Sequence, residues 1–304
     1  MENPIYIIGY GAVGMALAVA LKLAGKNVII LRGRPDNSPG RVENIQVAIP
    51  GKPLLEAKIE INTLNNFEQL DGIIVLTTKS YGNKQLAQTL KSKAGNSPIV
   101  LLQNGLGVEQ PFIETGFTEI YRCVLFITSV VIAPGKVNYK PVAVSPIGVV
   151  ANKSTSLNNV IEALDNAYLP FKAEYEIETI IWKKAIANSV FNSICPLLNI
   201  DNGIFKRDAS ALLMAKRIIT ECVGVAQAKG IMLTVDEVTE SVLQISKLSD
   251  GQLISTLQDI NNNRPTEIDT LNLQIVEIAK TLNMEIAVQQ TLLLGELIKL
   301  KSGF

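Results

Sequence analysis

Two sets of residues in this 304-residue chain have types and spacing suited to chemistry. The first, Gly9-Tyr10-Gly11-Ala12-Val13-Gly14, follows the apolar run Ile5 to Ile8 and opens a helical pattern to Ala24. In that setting the first glycine permits a tight turn, the second lets a pyrophosphate approach the backbone, and the third lets helix pack on strand. The helix start adds N–H donors and the positive end of its dipole. The spacing predicts a Rossmann dinucleotide-binding unit, with the six loop residues at the phosphates. Arg32 follows the second strand, Val28 to Leu31, where an NAD-binding unit would place Asp or Glu for the ribose 2′-hydroxyl. A carboxylate there would repel a 2′-phosphate, whereas a guanidinium binds it bidentately. NADP(H) is therefore the expected cofactor, with Arg34 either a second contact or a solvated charge.

The second set is Lys184, Asn188 and Asn192, spaced four apart amid Ile186, Ala187, Val190 and Phe191. That spacing puts a polar stripe on one face of an apolar helix, and such a stripe needs partners. Lys183 falls off the face. Reducing a ketone takes a hydride donor and a cation that polarises the carbonyl and protonates the forming alkoxide, a part Lys184 can fill. The competing reading is a solvated lysine, with asparagines bonded to neighbouring backbone. The chain has no histidine, which excludes Ser-His-Asp and Cys-His catalysis and histidine-ligated zinc. Cys123, Cys195 and Cys222 form no CxxC pair and suit thiols in a reducing cytosol. No metal site is expected.

With these residues in view, the chain resembles the ketopantoate reductase family, the 2-dehydropantoate 2-reductases. The resemblance runs over nearly the full length: Gly9 to Gly14, Arg32, Thr78-Lys79, Gln103-Asn104-Gly105, Trp182 to Asn192, and Ser255 to Asp269. It implies that Lys184 is the general acid and that Asn188, Asn192 and Ser255 line the substrate pocket. It also implies that Glu267 is the acidic active-site residue, and that Lys79 and Asn104 contact cofactor and substrate. The implied reaction is NADPH-dependent reduction of ketopantoate to pantoate, toward pantothenate and coenzyme A. From the residues alone, Glu267 reads as a carboxylate in a helix's first turn and Ser255 as a helix-surface hydroxyl, Lys79 as a loop charge and Asn104-Gly105 as a turn. Three positions depart from the family pattern. Asn263 stands where glycine is common, Thr256 where methionine is frequent, and Ser193 where proline often follows the second asparagine. They bear on which 2-oxo acid is used.

Other readings are a reductase of another branched 2-oxo acid, a 3-hydroxy-acid dehydrogenase with the same Lys-x-x-x-Asn spacing, and a nonenzymatic NADP(H) sensor. Tyr168 and Lys172 have the spacing of a short-chain dehydrogenase pair, but Pro170 between them would break the helix it requires.

The elements that must hold these residues divide the chain. Over 1–177, β-branched runs alternate with helical stretches, which predicts an α/β Rossmann domain with a parallel sheet. Ile5 to Ile8, Val28 to Leu31, Ile73 to Thr77 and Ile99 to Leu102 are continuously apolar, as buried parallel strands are. The Pro134-Gly135 turn within Tyr121 to Val150 predicts an antiparallel extension. Over 178–304 the pattern is all-α. Helices are expected from Glu178 to about Ile194, from Asp208 to Lys229 before a Gly230 cap, from the Thr234–Glu237 capping box, and from Pro265 at the first turn of a fourth. A cleft between the two domains is the expected substrate site.

Hydrophobic residues make up 47% and charged residues 18%, with 28 basic against 28 acidic side chains, which argues against bulk-charge binding of nucleic acid. The apolar run Cys123 to Ala133 falls short of the roughly 20 residues a membrane helix needs, and the start of the chain lacks a secretory pattern. A cytoplasmic location is expected, with a small-molecule 2-oxo acid as partner, no nucleic acid, no membrane, and room for a homodimer.

Overall fold

The computed structural model describes residues 3–33, 38–152 and 157–303; Arg34 lies outside them. The chain divides into two compact units, Met1–Gln103 with Val108–Ile177, and Asn104–Gly107 with Glu178–Phe304.

The first unit runs β1 (Ile5–Ile8), α1 (Ala12–Leu23), β2 (Val28–Arg32), β3 (Arg41–Ala48), β4 (Leu55–Thr63), β5 (Ile73–Leu76), α2 (Asn83–Lys91), β6 (Ile99–Leu101), α3 (Gln110–Thr115) and β7 (Glu119–Cys123). It continues with β8 (Ile127–Ala133), β9 (Lys136–Pro141), β10 (Ser145–Asn152), α4 (Leu157–Leu164) and β11 (Phe171–Ala173). All the strands join one sheet in the order β11-β10-β7-β6-β5-β1-β2-β4-β3-β9-β8. β7, β6, β5, β1, β2 and β4 form a continuous parallel ladder. β1, β5 and β6 within it are apolar throughout because both faces are covered. Along β1, Ile5 and Ile7 enter the core that contains α1, while Tyr6 and Ile8 enter the core that contains Leu86, Ala87 and Leu90 of α2. The chain order reverses between β1 and β5, where open α/β sheets bind ligands at the carboxyl ends of the strands.

The antiparallel extension lies at both ends of the sheet. β8 and β9 form the hairpin around Pro134-Gly135, with Gly135 at φ +68°, and β9 joins β3. At the opposite end β10 runs antiparallel to β7, which itself continues the parallel ladder. β3 and β4 form an antiparallel pair beyond the four expected parallel strands.

The second unit carries α5 (Ile177–Leu198), α6 (Ile204–Arg207), α7 (Ala209–Ala228), α8 (Val235–Leu248), α9 (Ser255–Asn261), α10 (Asn272–Thr281) and α11 (Gln289–Lys301). Asp208 caps α7 by accepting the Ala211 N–H at 2.7 Å, Gly230 follows it at φ +82°, and Thr234 and Glu237 form the capping box of α8. α5 extends four residues past Ile194, through Pro196 in its last turn. The helix expected at Pro265 does not form there. The chain leaves α9 through Asn263 at φ +52°, passes Pro265 without helix, makes one 3-10 turn over Ile268–Thr270, and enters α10 at Asn272. No helix among the described residues is long and apolar enough to cross a membrane.

Candidate active site

The glycine loop joins β1 to α1 at the switch point, and its three glycines meet different surroundings. Gly9 has φ +131°, and a β-carbon there would lie 2.5 Å from Thr77 Oγ1. A β-carbon on Gly14 would lie 2.7 Å from Thr77 Oγ1 and closer still to the Gly9 carbonyl oxygen, so helix and strand pack at a distance only glycine permits. A β-carbon on Gly11 would meet nothing within 4 Å. Gly11 also occupies the N-cap of α1 with no side-chain cap, leaving the first-turn N–H groups of Ala12, Val13 and Gly14 without intrahelical acceptors. An open backbone edge backed by a helix N-terminus fits the pyrophosphate of a dinucleotide.

Tyr10 turns toward β3. Its hydroxyl donates to the Glu43 carboxylate, which also accepts from Arg41 Nε at 2.7 Å, and the Arg41 guanidinium lies 5.9 Å from the Tyr10 ring centre. Burial and the Glu43 bond push the Tyr10 phenol up to about 12, so it stays a donor. Burial works against ionisation of Glu43. The bonds from Tyr10 and Arg41 and the charge of Arg32 outweigh it and hold this carboxyl below its usual range. Sequence reasoning missed Arg41 and Glu43 because it missed β3. Arg32, at the end of β2, is half-buried and donates to the Ser38 carbonyl at 3.0 Å. Lys79 follows β5, half-buried, at the N-cap of the 3-10 turn Ser80–Gly82.

In the second unit, α5 carries Lys184, Asn188 and Asn192. Lys184 and Asn188 are half-buried beside the buried Ala185, Ile186 and Ala187, and Asn192 is buried. The Asn192 carboxamide oxygen faces the start of α9, 3.4 Å from the Thr256 N–H donor and 3.5 Å from the Ser255 hydroxyl. Asn192 and Ser255, 63 residues apart in sequence, are thus neighbours. The buried Ser193 hydroxyl donates to the Ser189 carbonyl at 2.6 Å, a backbone-directed role. Lys183 lines a different feature, a groove of about 460 Å³ with Lys206, Glu237, Glu240 and Lys247 along it.

Asn104 and Glu267 come from segments that touch. The Leu106 N–H donates to the Thr270 carbonyl at 2.8 Å, and a β-carbon on Gly105, at φ +96°, would lie 2.6 Å from that same oxygen. Thr270 returns to Glu267 by donating from N–H and hydroxyl to its carbonyl at 3.0 and 3.1 Å. Glu267 is half-buried and precedes the 3-10 turn, so it does not sit in the first turn of an α-helix. Burial pushes the Cys195 and Cys222 thiols up to about 12, which disfavours their thiolates.

A glycine turn at the switch point of a parallel ladder, with a mostly helical second unit, defines a two-unit protein of the Rossmann type. A family profile described as ketopantoate reductase PanE/ApbA matches residues 5–165, and its C-terminal counterpart matches 176–301. The 2-dehydropantoate 2-reductase of Pyrococcus abyssi is 31% identical over 300 residues, 98% of each chain. The chain belongs to the ketopantoate reductase family, a family of oxidoreductases. Solved structures that share the fold include the following two. A PanE/ApbA family ketopantoate reductase from Ralstonia eutropha JMP134 has TM-score 0.84 at 22% identity, covering 99% of this chain and 98% of that one. D-mandelate dehydrogenase with NADH and anilino(oxo)acetate has TM-score 0.82 at 24% identity with the same coverage.

Proposed function

We propose that this chain is an NADPH-dependent 2-dehydropantoate 2-reductase, taking ketopantoate to pantoate. The observation that carries the reading is the half-buried Lys184 on one face of α5 with Asn188 and Asn192, the last of which reaches Ser255. Support also comes from the relatives, named for this reaction. Gly11 and the first turn of α1 would hold the cofactor's pyrophosphate, Arg32 its 2′-phosphate, and Lys79 and Asn104 the end nearer the substrate. The bound cofactor supplies the hydride to the ketone carbon. Lys184 polarises the ketone and gives the proton on Nζ to the oxygen as it becomes an alkoxide; solvent then reprotonates the amine. Asn188, Asn192 and Ser255 orient the 2-oxo acid without adding charge, and Glu267 contributes to orientation and proton handling.

The test is a spectrophotometric screen of NADPH oxidation across 2-oxo acids, in which ketopantoate is expected to give the highest kcat/KM. Tight NADPH binding with no oxidation by any 2-oxo acid would overturn the enzyme reading in favour of a sensor. Better turnover of another branched 2-oxo acid would reassign the substrate and keep the chemistry.

Replacing Arg32 with alanine tests the cofactor. A charge-assisted contact to phosphate predicts roughly 10- to 100-fold weaker NADPH binding, with NADH binding unchanged. Equal losses for both dinucleotides would remove Arg32 from the 2′-phosphate.

A further inference from the structure

Among the buried polar side chains of the first unit, three that the chemistry above does not use are connected: Asn83 at the start of α2, Gln103 just after β6, and Arg122 on β7, exposed by 2%, 5% and 2%. They are linked through Gln103, and most of their bonds fall on one stretch of chain, 103–109. Asn83 and Gln103 form a reciprocal amide pair, each Nδ2 or Nε2 donating to the other's oxygen at 2.8 Å. The Asn83 amide also donates to the Val108 carbonyl at 2.7 Å, and the Gln103 amide to the Thr78 carbonyl at 3.0 Å. Arg122 donates to the Gln103 carbonyl at 3.3 Å and pairs with the Glu109 carboxylate.

Gln103 on one side and Val108 and Glu109 on the other are the residues that flank 104–107, the four counted with the second unit. Asn83 bonds to both sides of that excursion, and so does Arg122. The excursion has backbone freedom to lose. Gly105 and Gly107 sit at φ +96° and +68°, and glycine has the largest backbone freedom to lose. Fixing both ends of such a short segment limits where its side chains can stand.

We propose that Asn83 and Arg122 are positioning residues that close the neck of this excursion and thereby set Asn104 for the reaction. The proposal rests on the reading of Asn104 as a substrate and cofactor contact. Burial makes the device depend on its polar groups being paired. A guanidinium this deeply buried is tolerated only when paired and hydrogen-bonded, and two of the partners of Arg122, the Gln103 carbonyl and the Glu109 carboxylate, belong to the neck. The amide pair orients two donors and two acceptors at once, which no apolar side chain can copy.

The test combines kinetics with NADPH and ketopantoate and amide hydrogen exchange in Asn83→Leu, Arg122→Lys, Asn104→Ala and the Asn83→Leu/Asn104→Ala double variant. Asn83→Leu keeps the size and removes the hydrogen bonds. Arg122→Lys keeps a charge for Glu109 but gives up the forked reach to the Gln103 carbonyl, and it serves if Asn83→Leu does not fold. Each neck variant is expected to lose roughly tenfold in kcat/KM, in the same KM-against-kcat proportion as Asn104→Ala. The double variant should be no worse than Asn104→Ala alone, because residues acting through one another are not additive. Exchange at Leu106, whose N–H is bonded to Thr270, should rise in the neck variants. Additive losses in the double variant, or unchanged Leu106 exchange in a folded neck variant, would overturn the proposal. Faster exchange with a kinetically silent Asn104→Ala would instead overturn the role given to Asn104.

Discussion

Replacing Lys184 with alanine is expected to lower kcat for NADPH-driven ketopantoate reduction by about 10²- to 10⁴-fold, the range general acid catalysis contributes. NADPH affinity should stay close to the parent's, because the groups proposed to hold the phosphates stand on the β1–α1 turn and at the end of β2. The fold should survive. Alanine is the best helix former, and the substitution trims a half-buried side chain while leaving the buried Ala185, Ile186 and Ala187 in place. Lys184→Arg separates two roles that alanine removes together. Arginine keeps the positive charge that polarises a carbonyl but does not surrender its proton near neutral pH. If proton delivery limits the rate, the arginine variant stays slow; recovery to parental turnover would assign Lys184 to polarisation alone. Undiminished turnover in the alanine variant would remove Lys184 from the reaction altogether and leave Glu267 as the next candidate.

What could be read from sequence follows from how local each signal is. Four strands of the parallel ladder, β1, β2, β5 and β6, were legible because strands covered on both faces run continuously apolar, as Ile5 to Ile8 do. The Lys184–Asn188–Asn192 stripe was legible because helical periodicity places residues four apart on one face. β3 and β4 were not. Their outer residues are charged and exposed, and β3 earns its place by pairing with β4 and β9 rather than by burial of its whole length. The cluster of Tyr10, Arg41 and Glu43 was hidden with them. Pro265 misled for a related reason. A proline suits a helix's first turn, but Arg264 is held back toward α9 by Asp259, through an ion pair at 3.0 Å and a backbone bond at 2.8 Å. The Thr270 carbonyl is taken by Leu106, from a distant part of the chain, and the α-helix starts only at Asn272. Sequence spacing carries no trace of that tie, nor of the assignment of 104–107 to the second unit.

Alanine at Gly14 and alanine at Gly11 are expected to fail in different ways, although both change a glycine of the same loop. At Gly14 the new methyl would crowd Thr77 Oγ1 at 2.7 Å and the Gly9 backbone more tightly, and neither is the free end of a flexible side chain. Thr77 is itself held, donating from its backbone N–H to the Ile8 carbonyl at 2.9 Å and from Oγ1 to the Ile8 and Gly9 carbonyls at 3.2 Å. Relief requires α1 to move off the sheet, and overpacking of this kind costs about 1–3 kcal/mol or more. A fall in Tm of roughly 5–10 °C without cofactor is the expected result, with NADPH binding lost alongside. At Gly11 the methyl enters open space at φ −97°, which any L-residue adopts, so Tm should change by no more than about 2 °C. That open space is where the pyrophosphate would approach, and a methyl intruding on it should weaken NADPH binding by roughly 10- to 100-fold. Thermal melts followed by circular dichroism and titration of NADPH by fluorescence check both. Parental NADPH affinity in Gly11→Ala would remove the loop from the phosphate site, and an unshifted Tm in Gly14→Ala would contradict the close packing of α1 on β1 and β5. Only if stability and binding separate between the two glycines does one turn hold both a packing contact and a ligand contact three residues apart.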